Sequence, residues 1–478
     1  MKKLVVMWMA GLLLGACSGG WHNQTEADLS AFSTYVDSLD SAVQGKWFTR
    51  MGVSEDADSL LSYLRREVPR NGLDTTAFFV PQIAEDLHIV HTLAFDSVGQ
   101  SINEVLVRLD SNLSKAYIDY TTGLRYGFMR PDKVLNNKDY KVGGPGYAQL
   151  FDYEIKAPDK ETSEKQLTKD DRMAFFMASQ PSNYVYHALQ ERLLATNDTD
   201  ERRKLAINME RCRWQIKHPE QQERRVLVNI PAQQLWAVGG DTVLYMRICC
   251  GAYATKTPLL CSTINYMQVN PEWIIPYNII KTDVARHGGD SAYFARNRYS
   301  IVRRQTNDTL RASEVSSEQL MSGNLRVVQK GGAGNSLGRI VFRFPNNFSV
   351  YLHDTNNRGA FQRERRTLSH GCVRVQKPFD LACFLLSDVD DWTRDQLRIS
   401  MDIRPETERG RNYVRDHAED PHPLRLIQYR EINPKVPVYI VYFTAYPNPA
   451  TGKVEFWPDR YDYDKVIVEK IGVYLLKQ

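Results

Sequence analysis

The chain has 478 residues, of which 42% are hydrophobic, 25% are charged and 11% are aromatic. This composition is typical of a globular protein with a buried core, and the length allows roughly two to four domains. The formal net charge is only +4, and no long run of one sign occurs, which excludes the strongly basic surface of a nucleic-acid-binding protein. We therefore expect no nucleic-acid partner.

The N-terminal segment has the order of features found in a secretory signal. Lys2 and Lys3 precede an apolar run at residues 4–14, which is too short to span a bilayer, and small residues then lead to Cys17. The sequence LGAC resembles a bacterial lipobox, which predicts a lipoprotein signal peptide at residues 1–17. A plain signal peptide with a chance cysteine is the alternative. We expect a periplasmic protein anchored to a membrane by lipid at Cys17, in the outer membrane because Ser18 replaces the aspartate that retains some lipoproteins at the inner one.

Helical patterns dominate the N-terminal part of the chain. Ser101 and Glu104 form a capping box, and apolar residues follow at helical spacing. A second apolar stripe occupies residues 60–68, and a further helix is predicted at 201–214. Residues 186–208 lead directly from one predicted helix to the next, so we expect no small inserted domain there.

Patterns typical of β-strands take over near residue 221. RRVLVNIPAQQLWAV and DTVLYMRICC predict strands separated by short polar turns, and residues 436–446 predict another buried strand. Together these patterns predict an α+β protein with a helical N-terminal scaffold domain at 18–220, a mostly β domain at 221–446 with an inserted, polar capping segment at 282–325, and a C-terminal extension at 447–478.

Two histidines and a cysteine lie close together in the β-type region. His353 precedes His370, which belongs to the sequence SHGCVRV at Ser369–Val375. Side chains alternate between the two faces of a strand, so a strand at 348–353 would place Tyr351 and His353 on one face.

The same alternation within SHGCVRV places Cys372 and Arg374 on one side, and Gly371 leaves room for a substrate backbone beside the thiol. His353, His370 and Cys372 could bind a metal, although their spacing suits a tetrahedral site poorly and no fourth ligand motif follows. A buried cysteine could instead serve as a small hydrophobic residue. Alternatively, Cys372 could be a nucleophile with His353 as its base. These residues alone leave the three interpretations open.

His353 followed by the sequence SHGC resembles the active-site pattern of the L,D-transpeptidases with a YkuD-type catalytic domain. The sequences NPEWIIP at 270–276 and GNSLGRIVFRFPN at 334–346 occur in the order typical of that family. LSKAYIDYTTGLRYGF at 113–128 and LAINMERCRW at 205–214 resemble the large, YcbB-like periplasmic branch. The resemblance therefore implies a YkuD-type catalytic domain at 221–446.

The resemblance also implies a reaction and roles for individual residues. The reaction is 3→3 cross-linking of peptidoglycan stem peptides, a donor tetrapeptide and an acceptor stem, through a cysteine thioester, with no metal or other cofactor. The catalytic residues would be Cys372, His353, His370 and Gly371, and the substrate-binding residues would be Tyr351, Arg374, Trp273 and Ser369. An L,D-carboxypeptidase, an enzyme that attaches a protein to the wall and a wall-binding lipoprotein without activity remain alternatives.

Some features differ from the family pattern or are not used by it. Residues 353–357 read HDTNN where relatives commonly have HDTP, and the loop that follows is rich in arginine. Those arginines could attract acidic stem peptides or be solvated. The cysteines other than Cys17 and Cys372 are odd in number and include no CxxC pair, so at least one is expected to be unpaired: Cys212, Cys249, Cys250, Cys261 and Cys383.

Overall fold

The computed structural model describes residues 30, 33–34, 37, 47–49, 52–95, 99–136, 150–386, 389–420 and 424–476. The predicted signal peptide and Cys17 lie outside these residues, so the lipid anchor stays a prediction. Within the described ranges, no helix combines the length and the apolar character needed to cross a membrane.

The α-helices are α1 (Glu55–Arg70), α2 (Val80–Thr92), α3 (Ile102–Tyr126), α4 (Pro131–Leu135), α5 (Lys160–Leu167), α6 (Arg172–Ala178), α7 (Tyr184–Ala195), α8 (Thr199–Arg213), α9 (Tyr277–Ile279), α10 (Ser291–Arg296), α11 (Ser317–Met321), α12 (Pro378–Leu386), α13 (Asp391–Ser400), α14 (Glu408–Asp416) and α15 (Tyr463–Ile471). The strands are β1 (Phe48–Thr49), β2 (Gly52–Val53), β3 (Phe151–Asp152), β4 (Arg225–Asn229), β5 (Gln234–Gly239), β6 (Thr242–Gly251), β7 (Leu259–Val269), β8 (Trp273–Ile274), β9 (Tyr299–Arg303), β10 (Thr309–Leu310), β11 (Leu325–Gln329), β12 (Ile340–Arg343), β13 (Leu352–His353), β14 (Thr367–Ser369), β15 (Val373–Val375), β16 (Tyr429–Val441), β17 (Ala445–Pro447) and β18 (Val454–Phe456).

Two compact units make up the chain, and each draws on separated parts of the sequence. One comprises Met1–Arg130, Lys156–Gln215 and Ile467–Gln478, and the other comprises Pro131–Ile155 and Ile216–Val466. The sequence-based boundaries instead gave all of 18–220 to the scaffold and all of 447–478 to a C-terminal extension. The difference arises because β3 pairs in parallel with β7 of the second unit, a long-range contact that local patterns do not reveal.

The first unit is helical, as predicted, and is built around α3. The predicted capping box is present, because the Ser101 hydroxyl accepts from the Glu104 N–H group while the Glu104 carboxylate accepts from the Ser101 N–H group. The apolar stripe of α3, which includes Leu109 and Leu113, is fully buried in the core of this unit together with Leu60 of α1. Burial of such a stripe supplies most of the stability of an amphipathic helix.

The second unit is mostly β, which confirms the predicted α+β class. Its main sheet has the strand order β12-β13-β15-β6-β5-β4-β16-β7-β3, and β12 also pairs with β7, which closes the path from β12 to β7 into a ring. Strands β4, β5 and β6 are consecutive antiparallel partners, as their alternation of apolar runs and polar turns predicts. Their inner residues include Leu227, Trp236 and Ile248, all fully buried.

A separate four-stranded sheet forms within the second unit, in the order β10-β9-β11-β8. We call residues 273–329 the capping subdomain. It has its own hydrophobic core, which includes Ile275, Phe294, Ile301 and Val327. The predicted insertion at 282–325 lies within it, and the structure extends the subdomain to β8 at one end and to the end of β11 at the other.

The strand predicted at 348–353 is shorter than expected. Only Leu352 and His353 form β13, and Ser349 has a φ of 55°, which breaks the extended conformation. The Asn346 side chain holds the preceding turn, since its Oδ1 accepts from the N–H groups of Phe348 and Val350, each at 3.0 Å. An asparagine that hydrogen-bonds the backbone two residues ahead favours a turn over a strand.

Candidate active site

A cavity of about 300 Å³ brings together most of the residues that the sequence indicated. Its walls come from the capping subdomain, the turn before β13 and the loop between β14 and β15. The sequence-predicted residues that line it are Trp273, Tyr351, His353, Ser369, His370, Cys372 and Arg374. Gly371 belongs to the same loop but does not line the cavity, and a Cβ atom at this position would lie 3.7 Å from the Lys256 carbonyl oxygen.

Backbone pairing sets His353 beside Arg374. Strand β13 runs parallel to β15, and the pairing joins Leu352 to Val373 and His353 to Arg374. Leu352 and Val373 are fully buried, whereas His353 and Arg374 both line the cavity. The alternation predicted for SHGCVRV is therefore present, with Cys372 and Arg374 on the cavity side.

The Cys372 thiol is partly buried. Its side chain packs with Trp273, Leu337 and Tyr351, and its Sγ atom lies 3.8 Å from the Ser349 carbonyl oxygen. Burial raises the pKa of the Cys372 thiol above its usual value of 9.0, and a hydrogen bond with the Tyr351 hydroxyl offsets only part of this rise. The resting nucleophile is therefore the neutral thiol.

His353 is buried and uncharged. Burial, followed by the positive charge of Arg374, lowers the pKa of its imidazole from 6.5 to about 3. Its Nδ1 atom is buried and has no hydrogen-bond partner among the described residues. A neutral imidazole can accept a proton, but a pKa of about 3 makes it a weak base in this state, because a general base works best when its pKa lies near the operating pH.

Two arginines supply positive charge near the thiol. The Nε atom of Arg374 is buried without a hydrogen-bond partner among the described residues, and this side chain lines the cavity. The Arg343 guanidinium lies 4.3 Å from the centre of the Tyr351 ring, and its charge lowers the pKa of Cys372 slightly. A guanidinium with an unused N–H group can bind a carboxylate.

Internal hydrogen bonds fix the loop that carries Cys372. The Ser369 hydroxyl donates to the Cys372 carbonyl oxygen at 2.5 Å and accepts from the Gly371 N–H group at 3.2 Å. Gly371 has a φ of 114°, which a residue with a Cβ atom rarely adopts. The Ser369 hydroxyl therefore supports the loop. The Gly371 N–H group is already hydrogen-bonded to Ser369, so in this state it is not free to donate to an oxyanion formed on a substrate carbonyl.

His370 lies at the rim of the cavity. Its Nε2 atom is 3.6 Å from the Asp283 carboxylate of the capping subdomain, and both side chains are about half exposed. Trp273 is half-buried in the cavity wall and packs against Cys372 and Tyr351. His353 lies inside the cavity, whereas His370 is placed to contact whatever enters between the loop and the capping subdomain.

The arginine-rich loop after His353 is largely structural where it is buried. The Arg366 guanidinium donates to the carbonyl oxygens of Ile248 and Gln233. Arg358 donates to the Gln376 carbonyl oxygen and lies 3.5 Å from the Asp354 carboxylate. Contacts within the protein therefore account for Arg366 and Arg358, and neither needs an acidic stem peptide as a partner.

Metal binding has no support from the described residues, among which no three His, Cys, Asp or Glu side chains are grouped so as to hold an ion. Cys249, Cys250, Cys261 and Cys383 carry free thiols. Burial raises the pKa of each of these thiols, to about 12 for Cys250. A raised pKa lowers the thiolate fraction of these four cysteines at neutral pH, and the thiolate is the reactive form.

Comparison with known proteins shows which domains the chain carries. The model of the YkuD L,D-transpeptidase catalytic domain matches residues 223–390, and the model of the Scaffold domain matches residues 41–193. This chain carries a YkuD L,D-transpeptidase catalytic domain. It is also 26% identical over 366 residues to a Haemophilus influenzae protein named "Putative L,D-transpeptidase", an alignment that covers 74% of this chain and 69% of that protein.

The family match confirms the resemblance inferred from the motifs. The YkuD domain contains His353 and the SHGC loop, and the Scaffold domain covers the helices up to α7. The main sheet continues beyond the matched residues, since β16 at Tyr429–Val441 lies between β4 and β7. The L,D-transpeptidase fold of this chain therefore needs strands well downstream of the motif.

Two residues at the L,D-transpeptidase site were not singled out by sequence. Arg343 lies ten residues before His353 in a strand that pairs with β13, so strand alternation alone gives no reason to choose it. Asp283 comes from the polar insertion, whose position over the catalytic loop is a tertiary property. The only sequence feature that points to Arg343 is its place in the strand before His353. An arginine in a strand is not specific to an active site.

Proposed function

We propose that this protein is a peptidoglycan L,D-transpeptidase that forms 3→3 cross-links through a thioester on Cys372. The observation that carries the proposal is the combination, in one cavity, of a partly buried neutral thiol, a buried neutral imidazole and a guanidinium whose Nε–H group has no partner among the described residues. The YkuD domain and the similarity to the Haemophilus influenzae protein support the reaction class.

In the first half-reaction, a donor tetrapeptide binds with the carbonyl of its third residue against Cys372. The Sγ atom attacks that carbonyl carbon while His353 accepts the thiol proton. The bond to the terminal D-alanine breaks, the leaving amine takes the proton from His353, and a thioester remains. Because the thiol and the imidazole both start uncharged, charge develops only during the attack, when N–H donors near the carbonyl oxygen are most effective.

In the second half-reaction, the side-chain amine of an acceptor stem attacks the thioester. His353 removes a proton from this amine, the bond between sulphur and the carbonyl carbon breaks, and the Cys372 thiol is restored. The acceptor has to approach past His370 and the capping subdomain, which form the rim of the cavity. No metal or organic cofactor takes part in this scheme.

Arg374 is proposed to bind a carboxylate of the donor stem. Its buried, unpartnered Nε atom and its position beside His353 suit a charge-assisted hydrogen bond to a substrate group near the reacting carbonyl. Tyr351 and Trp273 would form the adjoining wall. In the cell, the enzyme is proposed to act in cell-wall biogenesis from the periplasmic side, held by lipid at Cys17 in the outer membrane.

The test compares a soluble form that begins at Trp21 with its Cys372→Ala variant. Each is incubated with purified disaccharide-tetrapeptide, and the products are read by mass spectrometry. We expect a dimer that has lost one D-alanine, formed only when Cys372 is present. A His353→Gln variant should form the dimer at a rate lower by about 10²–10⁴-fold, the usual contribution of a general base.

The other outcomes separate the alternatives. Tripeptide without dimer would indicate that water, rather than an amine, attacks the thioester, as in an L,D-carboxypeptidase. The absence of any product, together with no covalent adduct of a carbapenem on Cys372, would favour a wall-binding lipoprotein without activity.

A further inference from the structure

Thr257 lies directly behind the loop that carries the nucleophile. It is fully buried, it does not line the cavity, and it precedes β7 in the connection from β6. Its hydroxyl accepts from the Gly251 N–H group at 2.8 Å and donates to the Gly371 carbonyl oxygen at 2.8 Å. Neither contact involves substrate, and the reaction scheme above gives this residue no role.

The direction of the second hydrogen bond is determined by the Gly371 carbonyl oxygen, which can only accept. A threonine hydroxyl has one proton to donate. Because the Gly251 N–H group occupies an acceptor position, the hydroxyl proton is free to point to the carbonyl oxygen of Gly371. Tyr461 also stabilises the backbone around Thr257 and Gly251. Its hydroxyl accepts from the Thr257 N–H group at 3.2 Å and donates to the Gly251 carbonyl oxygen at 2.7 Å.

The planarity of the peptide bond carries this constraint to Cys372. In a trans peptide, the carbonyl oxygen of one residue and the N–H group of the next point in opposite directions. Thr257 holds the Gly371 carbonyl oxygen on the interior side, so the Cys372 N–H group points to the opposite side. Ser369 fixes the following peptide by donating to the Cys372 carbonyl oxygen at 2.5 Å. For the Cys372 N–H group, no acceptor is found among the described residues.

We propose that Thr257 is a positioning residue for the oxyanion donor: it orients the peptide between Gly371 and Cys372 so that the Cys372 N–H group faces the carbonyl oxygen of the substrate. This inference rests on the proposed function, because it requires Cys372 to form an acyl-enzyme. It assigns the main oxyanion role to the Cys372 N–H group, since the Gly371 N–H group is engaged by Ser369. It also gives a reason for a polar residue at a fully buried position.

Two reactions of the same thiol separate orientation of the donor from general support of the loop. A carbapenem acylates Cys372: a bond forms between Sγ and the lactam carbonyl carbon, the lactam C–N bond breaks, and the thiol proton ends on the lactam nitrogen. This reaction passes through an oxyanion. Iodoacetamide alkylates the thiol by displacing iodide from a saturated carbon, and the thiol proton goes to solvent. No oxyanion forms at the reacting carbon in this second reaction.

The experiment uses the full chain in detergent and measures both rates for the wild type, Thr257→Val and Thr257→Ser. Valine keeps the shape of the threonine side chain and removes the hydroxyl, whereas serine keeps the hydroxyl. We expect Thr257→Val to slow carbapenem acylation by at least about tenfold, up to the roughly 10²–10³-fold that loss of an oxyanion donor causes, with the alkylation rate within about twofold of wild type. Thr257→Ser should restore acylation to near the wild-type rate.

Tyr461→Phe provides the matched control, because it disturbs the same buried cluster without touching Gly371. We expect this variant to lower the melting temperature and to leave the ratio of acylation to alkylation unchanged. Equal slowing of both reactions in Thr257→Val, or a failure of Thr257→Ser to restore acylation, would overturn the inference in favour of simple support. If the wild type itself is alkylated but not acylated, the proposed function fails, and the inference fails with it for that distinct reason.

Discussion

At the level of single residues, burial keeps both reacting groups of the site uncharged. It raises the pKa of the Cys372 thiol above 9.0 and lowers the pKa of His353 to about 3. A site built on a resting ion pair would need the opposite shifts, namely a thiol pKa well below its usual value and a histidine that stays protonated. Under the proposed mechanism, the proton moves from Cys372 to His353 during attack, and the mechanism needs no ion pair in the free enzyme.

This arrangement predicts how the reactivity of Cys372 changes with pH. With a thiol pKa above 9.0, the thiolate fraction at about pH 7 is below roughly 1%, so alkylation by iodoacetamide should be slow there and should rise by about tenfold per pH unit up to at least pH 9. The measurement is the alkylation rate of Cys372, followed by peptide mass spectrometry across the pH range. A fast plateau at acidic and neutral pH would instead reveal a thiolate–imidazolium pair. Cys372→Ala provides the blank.

The proposed role of Arg374 predicts that the KM for the donor peptide depends on the charge of this side chain. Arg374→Gln removes the guanidinium proposed to hold a donor carboxylate, so the KM for the tetrapeptide donor should rise by about 10–100-fold, as expected for a lost hydrogen bond to a charged group. Steady-state kinetics with two donors provide the control. A donor whose carboxylates are converted to carboxamides should bind the wild type weakly and should lose little more in the variant. An equal loss for both donors would assign Arg374 to folding rather than to recognition.

At the level of elements, the structure differs from the sequence-based prediction at the turn before β13, where a strand was expected. The motif predicted which residues meet, because alternation and the SHGC pattern are local properties. The pattern did not predict that Asn346 folds residues 346–350 into a turn, since FSVYLH alternates as a strand would. The packing of Cys372 against Trp273 and Leu337 also could not be predicted, because these contacts join segments far apart in the sequence.

The turn predicts that Asn346 stabilises one wall of the cavity. Asn346→Ala would remove its hydrogen bonds to Phe348 and Val350, including a bond from its Nδ2 to the Val350 carbonyl oxygen at 2.8 Å. We expect faster amide hydrogen exchange in residues 346–350 and a loss of about 1–3 kcal/mol in unfolding free energy. Asn347→Ala is the matched control, because Asn347 is exposed and its side chain reaches only the Asp152 carboxylate. Unchanged exchange in Asn346→Ala would show that the turn is held by its backbone.

At the level of the whole molecule, the order of the sequence and the order of the units differ. The segment 131–155 belongs to the unit that holds the catalytic site, and the last residues belong to the helical unit. A reading along the chain assigns domains to continuous segments, so it could predict the scaffold and the catalytic region but could not predict these exchanges. Each unit is therefore built from segments that are distant from one another in the sequence.

The return of the C-terminus to the helical unit leads to the last prediction. The Tyr474 ring packs against Phe128, with ring centres 4.6 Å apart, and its carbonyl oxygen accepts from the Asp74 N–H group at 2.9 Å. Tyr474→Ala should lower the unfolding free energy by about 2–3 kcal/mol, somewhat less than for a fully buried aromatic residue, because the ring is only partly buried. Denaturant unfolding measures the loss, and Val473→Ala, at a neighbouring position that is 67% exposed, should change stability little. Since Tyr474 lies in a different unit from Cys372, the acylation rate of the folded variant should equal that of the wild type, and a slower acylation would show that the C-terminus acts on the catalytic site as well as on the helical core.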